Sequence, residues 1–309
     1  MQDLVVTYLH HSGFSVALGE TLLVFDYAPA EHGVPGSAGV LCATDFAAYS
    51  QVVVFVSHSH ADHFDPTIFD WAAPGTVHYV LGYDLPARWP GARLHPGDRL
   101  SVAGVEIEAY ESTDLGVSYL VSLGDYRIFH AGDLNLWHWR DVSTLREIED
   151  AEQAFYSAVR PLEGQQVDLA FFPVDYRLGT LYDAGANYFT MAVKPRVLIP
   201  MHWQDRPDIA QEFARKNRSP RVEIIAMTER GACLRVGKRT DHDAQEWYVE
   251  SMVRSIRSER EAARAETQTD QDEAPPEAPV KRPPTDMHTL AQLYAEEPKD
   301  IPPEGDDLV

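Results

Sequence analysis

The chain has 309 residues, of which 44% are hydrophobic and 10% aromatic, so it can bury the core of one large globular domain. Its 48 acidic and 26 basic side chains give a formal net charge of −22, which argues against nucleic acid as the main substrate. No apolar run approaches the roughly 20 residues that span a bilayer, and no signal peptide is evident. With only Cys42 and Cys233, we expect reduced thiols in a cytoplasmic protein that binds no membrane.

The first predicted strands each end in a residue that can bind a metal or a proton. The opening strand runs into His10 and His11, and we expect one of them, His11, to lie in the second shell of a site or to contact substrate. The alternative is a partly buried histidine satisfied by backbone. The apolar run 22–25 delivers Asp26 in the same manner.

The most informative segment packs four metal-ligand side chains into residues 58–63, His-Ser-His-Ala-Asp-His. It follows an apolar, β-branched run at 52–56 that predicts a buried strand, and Asp65 with Pro66 then predicts a helix start. Side chains two apart in extended chain point the same way, so His58 and His60 can converge on one cation. The chain then turns, which aims Asp62 and His63 at a second cation or at the second shell. Imidazole and carboxylate together suit Zn²⁺, Mn²⁺ or Fe.

Later predicted strands repeat this ending. One strand-like run ends in His130, and Gly132 permits a tight turn before Asp133. A second run, at 196–199, leads to His202, and between them the run 168–172 leads to Asp175 and Arg177. Arg177 could bind an anionic substrate group, and a surface ion pair with Asp175 is equally plausible. The four strands that lead to Asp26, His58, His130 and His202 each finish in His or Asp, which supports a metal site at one sheet edge.

These motifs resemble the metallo-β-lactamase-fold hydrolases. The resemblance rests on His-x-His-x-Asp-His, on His-Ala-Gly-Asp at 130–133 and on Pro-Met-His at 200–202, and it covers roughly residues 3–240. The Tyr-Leu-His-His-Ser-Gly start at 8–13 and Asp26 look most like the lactonase-like branch, which includes ascorbate-6-phosphate lactonases. The resemblance implies an α/β fold, a four-layer αβ/βα sandwich that holds one or two divalent ions, most commonly Zn²⁺, at the sheet edges.

Carried over residue by residue, the resemblance implies a binuclear site. His58 and His60 would bind the first ion, and Asp133 would bridge both. The second ion would be bound by three residues, which are Asp62, His63 and His202. Outside this ligand set, we expect His130 to be structural rather than a ligand, because Asp133 carries the family role, and we place His130 and Asp175 among the second-shell or substrate-binding residues.

The chain departs from the family pattern at one ligand. The family supplies a third histidine to the first ion before the strand that precedes His-Ala-Gly-Asp, and here the region 109–116 has none. Asp114 or Glu111 could substitute as an oxygen ligand, and we favour Asp114 because Ser-Thr-Asp-x-Gly is a turn that presents its carboxylate. A weak first site or a one-metal protein are the other interpretations.

The predicted chemistry is hydrolysis. A dication lowers the pKa of bound water to roughly 7 and polarises the substrate oxygen, so a metal-bound hydroxide would attack a small ester, lactone or phosphoester. Asp133 and Asp62 are the predicted catalytic residues: Asp133 orients the nucleophile and Asp62 acts as a base. Two alternatives stay open, a mononuclear iron oxygenase of the same fold and a non-catalytic metal-bound scaffold.

The composition changes near residue 240. We predict a hydrolase domain at 1–240, an amphipathic and charged helix at 241–265 on the helical spacing of Trp247, Val249 and Met252, and a disordered acidic, Pro-rich tail at 266–309. The expected partner is a small-molecule substrate, and the metal ions would allow it to be anionic. Homo-oligomer formation and capture of a protein by the tail are left open.

Overall fold

The computed structural model describes residues 2–29, 37–71, 77–139, 142–241 and 244–252. They lie within one compact unit, Met1–Arg254. The predicted tail at 266–309 lies outside the described residues.

The described residues form fifteen strands in two sheets. Their bounds, in chain order, are β1 Leu4–His10, β2 Gly13–Leu18, β3 Thr21–Phe25, β4 Gln51–Val56, β5 Val77–Gly82, β6 Ala92–Leu94, β7 Arg99–Val102, β8 Val105–Tyr110, β9 Ser118–Leu123, β10 Tyr126–His130, β11 Leu169–Pro173, β12 Val197–Met201, β13 Glu223–Ile224, β14 Cys233–Asp241 and β15 Ala244–Met252. The first sheet has the order β15-β14-β1-β2-β3-β4-β5-β6, and the second has the order β13-β12-β11-β10-β9-β8-β7.

Both sheets are mixed, and each has a parallel part that positions the site. In the first sheet β3 to β6 are parallel, and in the second β10 to β13 are parallel. Parallel strands finish at the same edge of their sheet, so the residues that follow β3, β4, β10, β11 and β12 are brought together. This is the physical basis of the predicted convergence of strand ends.

Aromatic side chains show how the layers pack. Phe171 on β11 stacks on Phe14 of β2 with ring centroids 4.3 Å apart, which joins the two sheets. Its neighbour Phe172 points to the opposite face and stacks on Phe189, 4.5 Å away, in a covering helix. All four rings are fully buried. Successive residues of β11 therefore serve two cores, as in a strand covered on both faces.

Three α-helices are present among the described residues: α1 Leu145–Val159, α2 Ala184–Val193 and α3 Pro207–Lys216. Thr144 caps α1 by accepting a hydrogen bond from the Glu147 N–H. The outer face of the first sheet packs instead against short 3₁₀ segments, chiefly Pro66–Trp71, which buries Ile68 and Trp71. No described helix is long and apolar enough to cross a bilayer.

The helix predicted over 241–265 is wrong in its first part. Ala244–Met252 is strand β15, which pairs antiparallel with β14 and places Trp247 opposite Lys238. Trp247 and Val249, two residues apart, both pack against the core, and this period of two belongs to a strand. The pairing partner β14 decides the conformation, which helical spacing of apolar residues could not reveal. Residues 253–265 lie outside the described residues.

Candidate metal centre

The loop after β4 aims its ligand side chains in two directions, as its spacing predicts. His58 Nε2 and His60 Nδ1 approach to 3.0 Å, so both rings face one point. A tight turn follows, in which the His60 carbonyl accepts hydrogen bonds from the N–H groups of His63 and Phe64. The turn carries Asp62 and His63 to the other side of the loop.

Two groups of ligand atoms result, and within each group all the atoms lie within 4.8 Å of one another. We call them the first cluster and the second cluster. The first cluster contains His58, His60, Asp114 and Asp133. The second cluster contains His11, Asp62, His63 and His202. Imidazole nitrogen and carboxylate oxygen in this proportion match the ligand sets of Zn²⁺, Mn²⁺ and Fe.

Asp133 lies between the two clusters. Its Oδ1 is 3.0 Å from His63 Nε2 and 3.2 Å from His202 Nε2, whereas its Oδ2 is 3.6 Å from His58 Nε2. One carboxylate thus presents one oxygen to each cluster, which is the geometry that the bridging role requires.

Buried acceptors fix the orientation of the histidines. Asp26 Oδ2 lies 2.7 Å from His63 Nδ1, and Asp175 Oδ2 lies 2.9 Å from His202 Nδ1. Both carboxylates are fully buried. Because each accepts a hydrogen bond from the Nδ1–H of one histidine, the Nε2 atom of that histidine faces Asp133. Asp26 and Asp175 are thus in contact with the predicted ligands.

The first cluster is oriented through Ser57, a residue that no local sequence pattern singles out. Its hydroxyl donates to Asp26 at 2.7 Å and accepts from His58 Nδ1 at 2.9 Å, so the His58 ring presents Nε2 to the site. Asp84 accepts a hydrogen bond from the Ser59 N–H at 2.8 Å and steadies the same loop. A carboxylate two residues after the end of β5 was the available sequence signal for Asp84.

Three residues of the site have left-handed backbone: His11 (φ 53°), Asp26 (φ 42°) and His202 (φ 61°). Non-glycine residues in this region cost of order 1–3 kcal/mol each and concentrate at functional sites. All three directly follow the last residue of a strand, so the sharp change of direction is what places their side chains at the sheet edge.

The site combines neutral and charged histidines. Burial lowers the pKa of His11 to about 4, and burial also lowers the pKa of His58. Burial disfavours the charged form of His202 too, but Asp133 outweighs it and raises the pKa of His202 to about 9. Burial likewise opposes ionisation of Asp133, yet His202 and His63 hold its pKa well below the usual range. A buried carboxylate surrounded by imidazoles is thus ionised at neutral pH.

Several ligand atoms of the clusters are buried without a hydrogen bond, and such atoms indicate whether a metal ion fits between them. These atoms are Nε2 of His11, Nε2 of His63, Nε2 of His202 and Oδ1 of Asp133. They lie 3.0–3.3 Å from a neighbouring ligand atom, but their directions do not suit hydrogen bonds. Buried polar atoms are normally paired, and atoms that converge without pairing fit a shared cation. The residues present fit a divalent metal.

The position of Asp114 depends on a close approach of two loops. Gly116 has φ +70°, and a Cβ there would lie 1.9 Å from the Ser57 carbonyl oxygen. Val117 N–H donates to that same carbonyl at 3.1 Å. The approach brings Asp114 Oδ2 to 3.7 Å from His60 Nδ1, whereas Glu111 lies outside both clusters. Of the two proposed replacements for the missing histidine, the structure brings Asp114 to the site.

His130 makes structural contacts. Its Nδ1 accepts a hydrogen bond from the Gly132 N–H at 3.2 Å, so the Nε2–H donates to the Ser12 carbonyl at 2.9 Å. It belongs to neither cluster, and its ring stacks 5.1 Å from Phe25. His130 therefore supports the turn that carries Asp133.

A pocket of about 330 Å³ opens beside both clusters. Its lining includes five residues of the clusters together with Thr113, Trp137 and Trp139. Arg177 also lines it, and among the described lining residues no other is a lysine or an arginine. Arg177 is held by Asp175, whose oxygens accept from Nε at 3.0 Å and from Nη2 at 2.6 Å. Arg177 therefore both pairs with Asp175 and lines the pocket, although the sequence left these two arrangements as alternatives.

Known proteins share both the sequence pattern and the fold of this chain. A family model described as "Beta-lactamase superfamily domain" matches residues 5–202. A UPF0173 metal-dependent hydrolase of Heliobacterium modesticaldum is 27% identical over 68% of this chain and 86% of its own length. Another UPF0173 metal-dependent hydrolase, from Thermus thermophilus, is 24% identical over 72% of this chain and 95% of its own length.

Two solved structures share the fold. Igni18, a metallo hydrolase from Ignicoccus hospitalis, superposes with a TM-score of 0.54 at 16% identity, and the match covers 81% of this chain and 99% of Igni18. YhfI, a metallo-β-lactamase fold protein from Bacillus subtilis, gives 0.50 at 13% identity, covering 82% and 100% respectively. The lactonase-like branch stays a prediction. Since the family model spans well over half of the chain and the site carries its ligand motif, the chain belongs to the metallo-β-lactamase superfamily of metal-dependent hydrolases.

Proposed function

We propose that this chain is a binuclear hydrolase that binds two divalent ions, with Zn²⁺ as the resident metal, and cleaves a small anionic ester, lactone or phosphoester. The observation that carries the proposal is Asp133, whose two carboxylate oxygens face two different clusters of ligand atoms. Two unpaired cysteines, Cys42 and Cys233, support a cytoplasmic location.

Divalent ions bound at the two clusters would supply Lewis-acid chemistry, which acidifies water and polarises the substrate oxygen. The first cluster would hold one ion and the second cluster the other. Asp26 and Asp175 keep His63 and His202 in the tautomer that presents Nε2.

Asp62 is placed to take part in proton transfer. Its side chain is 46% exposed and lines the pocket, and Oδ2 lies 3.3 Å from His11 Nε2. Burial favours the neutral acid, but the charges of the neighbouring imidazoles of His11, His63 and His202 lower the pKa of Asp62 well below the ordinary value. The carboxylate is therefore ionised and can accept a proton from a nucleophile in the pocket.

The pocket walls support a small anionic substrate. The Asp175 contacts use one edge of the Arg177 guanidinium, and the side chain is still 46% exposed, so its remaining N–H groups can bind a carboxylate or phosphate. Trp137 and Trp139 stack with ring centroids 6.4 Å apart, and Trp139 is 45% exposed. An exposed indole beside a cation suits a ligand with a flat apolar part and an anionic group.

Metal analysis tests the proposal first. Protein purified without added metal or chelator is analysed for elements, and hydrolysis is measured on panels of small esters, lactones and phosphoesters. We expect close to two equivalents of Zn per chain and turnover of one panel. Asp133→Asn is the matched variant, and we expect it to lose at least one equivalent together with activity.

Other outcomes separate the alternatives. One equivalent of Fe with oxygen-dependent turnover would replace the hydrolase by the mononuclear oxygenase. Failure to bind any metal after reconstitution, in protein that is folded, would leave the non-catalytic scaffold.

A further inference from the structure

His11 lies in the second cluster, whereas its sequence context predicts a residue of the second shell or one that contacts substrate. The side chain is 5% exposed, and its Nε2 is buried without a hydrogen bond. That atom lies 3.3 Å from Asp62 Oδ2, and the His11 ring centroid is 4.2 Å from that of His202. A buried imidazole nitrogen therefore points at the same space as the ligand atoms of Asp62 and His202.

The backbone holds His11 in this direction. The His11 N–H donates to the Tyr8 hydroxyl at 2.9 Å, and its carbonyl accepts from the His202 N–H at 3.5 Å. The residue has φ 53°, and the strand register is irregular between Tyr8 and His10 just before it. Tyr8 packs against Trp203, 5.7 Å away, so the end of β1 is attached to the end of β12.

The neighbouring His10 has a different environment. Its Nδ1 lies 3.0 Å from the Ala28 carbonyl oxygen, and it belongs to neither cluster. The left-handed turn at residue 11 sends the two adjacent imidazoles in separate directions. His10 is therefore a matched control for His11.

We propose that His11 Nε2 is a further protein ligand of the second-cluster ion, beside Asp62, His63, His202 and the bridging Asp133. The inference rests on the proposed function, because it assumes that this cluster binds a divalent ion. With the bridging Asp133 oxygen, the second-cluster ion would have five protein ligands, which describes a closed site, whereas catalytic sites keep a position open. The second-cluster ion is then the tightly held ion.

The first cluster is more open to solvent than the second cluster. His60 is 45% exposed and Asp114 36% exposed, and both line the pocket. Asp114 Oδ2 lies 3.7 Å from His60 Nδ1, farther than the 3.0 Å that separates this nitrogen from His58 Nε2. An ion at the first cluster is therefore accessible from the pocket and is the one that exchanges and meets substrate.

The test is a metal titration of chelator-treated protein with Co²⁺ and with Zn²⁺ in competition with a chromophoric chelator. Wild type, His11→Asn and His10→Asn are compared, since Asn tolerates the left-handed backbone at residue 11. We expect two binding events in wild type and in His10→Asn. In His11→Asn we expect the tighter event to weaken at least tenfold and the visible Co²⁺ spectrum at the first equivalent to differ from that of wild type.

Wild-type X-ray absorption at one equivalent of Zn²⁺ gives a readout that needs no variant. We expect three imidazoles and the carboxylate oxygens of Asp62 and Asp133 around the metal. Two imidazoles at that stoichiometry, or His11→Asn that binds both ions with wild-type affinity and spectrum, would overturn the inference and leave the proposed function standing. Wild type that binds no ion would overturn both.

Discussion

Asp26 accepts a hydrogen bond from His63, with Oδ2 and Nδ1 only 2.7 Å apart in a fully buried setting. His63 is the donor because the Asp26 carboxylate has a pKa below the ordinary value. Burial raises the pKa of Asp26, but His130 and His63 outweigh this effect. The backbone N–H of Ser57 donates to the other carboxylate oxygen. The pair of Asp26 and His63 links β3 to the loop after β4 and fixes which His63 nitrogen faces the site.

Asp26→Asn should weaken metal binding. The amide cannot accept from Ser57 and His63 without turning its NH₂ group toward a donor, so the His63 ring loses its fixed orientation. Losses of about 10–100-fold in metal affinity are typical of such changes. Zn²⁺ competition titration measures the effect, with Asp65→Asn as the control because the Asp65 carboxylate accepts the Thr67 N–H within its own turn. Unchanged affinity in folded Asp26→Asn protein would contradict the orienting role.

Arg177→Met should change substrate discrimination. We expect kcat/KM for an anionic ester to fall by about 10–100-fold more than for its neutral isostere, since a charge-assisted contact is lost. Arg177→Lys should retain part of the preference because it keeps the charge without the fork. The ratio of the two kcat/KM values is the readout, which corrects for any disturbance of Asp175.

Arg206→Gln is the control for that series. Arg206 is a nearby cation paired with Asp208 at 2.7 Å, outside the residues that line the pocket. The ratio of kcat/KM for the anionic ester to kcat/KM for the neutral ester should be the same in Arg206→Gln as in wild type. If wild type hydrolyses the charged and neutral esters equally well, Arg177 has no part in substrate choice.

Metal removal should lower thermal stability. The buried atoms of Asp133 and the clustered histidines would then converge without a cation. Ligand at about a thousand times its Kd stabilises by about 4 kcal/mol, which corresponds to roughly 8–16 °C in Tm for a domain of this size. Differential scanning calorimetry with and without chelator measures the shift, and added Zn²⁺ should restore it. A metal-independent Tm, or an equal shift in Asp133→Asn, would argue against binding at this site.

Tyr79 should contribute to the loss of stability at alkaline pH. Burial, with a smaller effect of Asp70, raises the pKa of Tyr79 to about 12 from an ordinary value near 10. The unfolded chain loses this proton first, so the contribution is complete below pH 10 and is lost as the pH rises toward 12. Tyr79→Phe should therefore show a shallower fall in the free energy of unfolding across that window.

The same variant has an expected cost at lower pH. Tyr79 donates a hydrogen bond of 2.7 Å to the Ile68 carbonyl, so Tyr79→Phe should lose about 1 kcal/mol at pH 8. Urea denaturation at pH 8, 10 and 11.5 measures both effects, with Tyr83→Phe as the control because Tyr83 is 40% exposed. A slope equal to that of wild type would show that Tyr79 ionises alike in both states.

Short-range sequence patterns predict the local part of the site. The alternation of His58 and His60, and the turn that separates them from His63, follow from bond geometry and short-range hydrogen bonds. The strands that precede Asp133 and His202 were also predictable, because buried parallel strands leave continuous apolar runs.

Other features of the site and the fold depend on packing between residues that are far apart in the sequence. Asp114 rather than Glu111 reaches the site because Gly116 allows two loops to touch, and His11 joins it because Tyr8 attaches the end of β1 to Trp203. Residues 244–252 form a strand rather than a helix because β14 offers an edge with which they pair. In each case the partner lies far away in sequence, and no local pattern records the distance between two groups that only folding brings together.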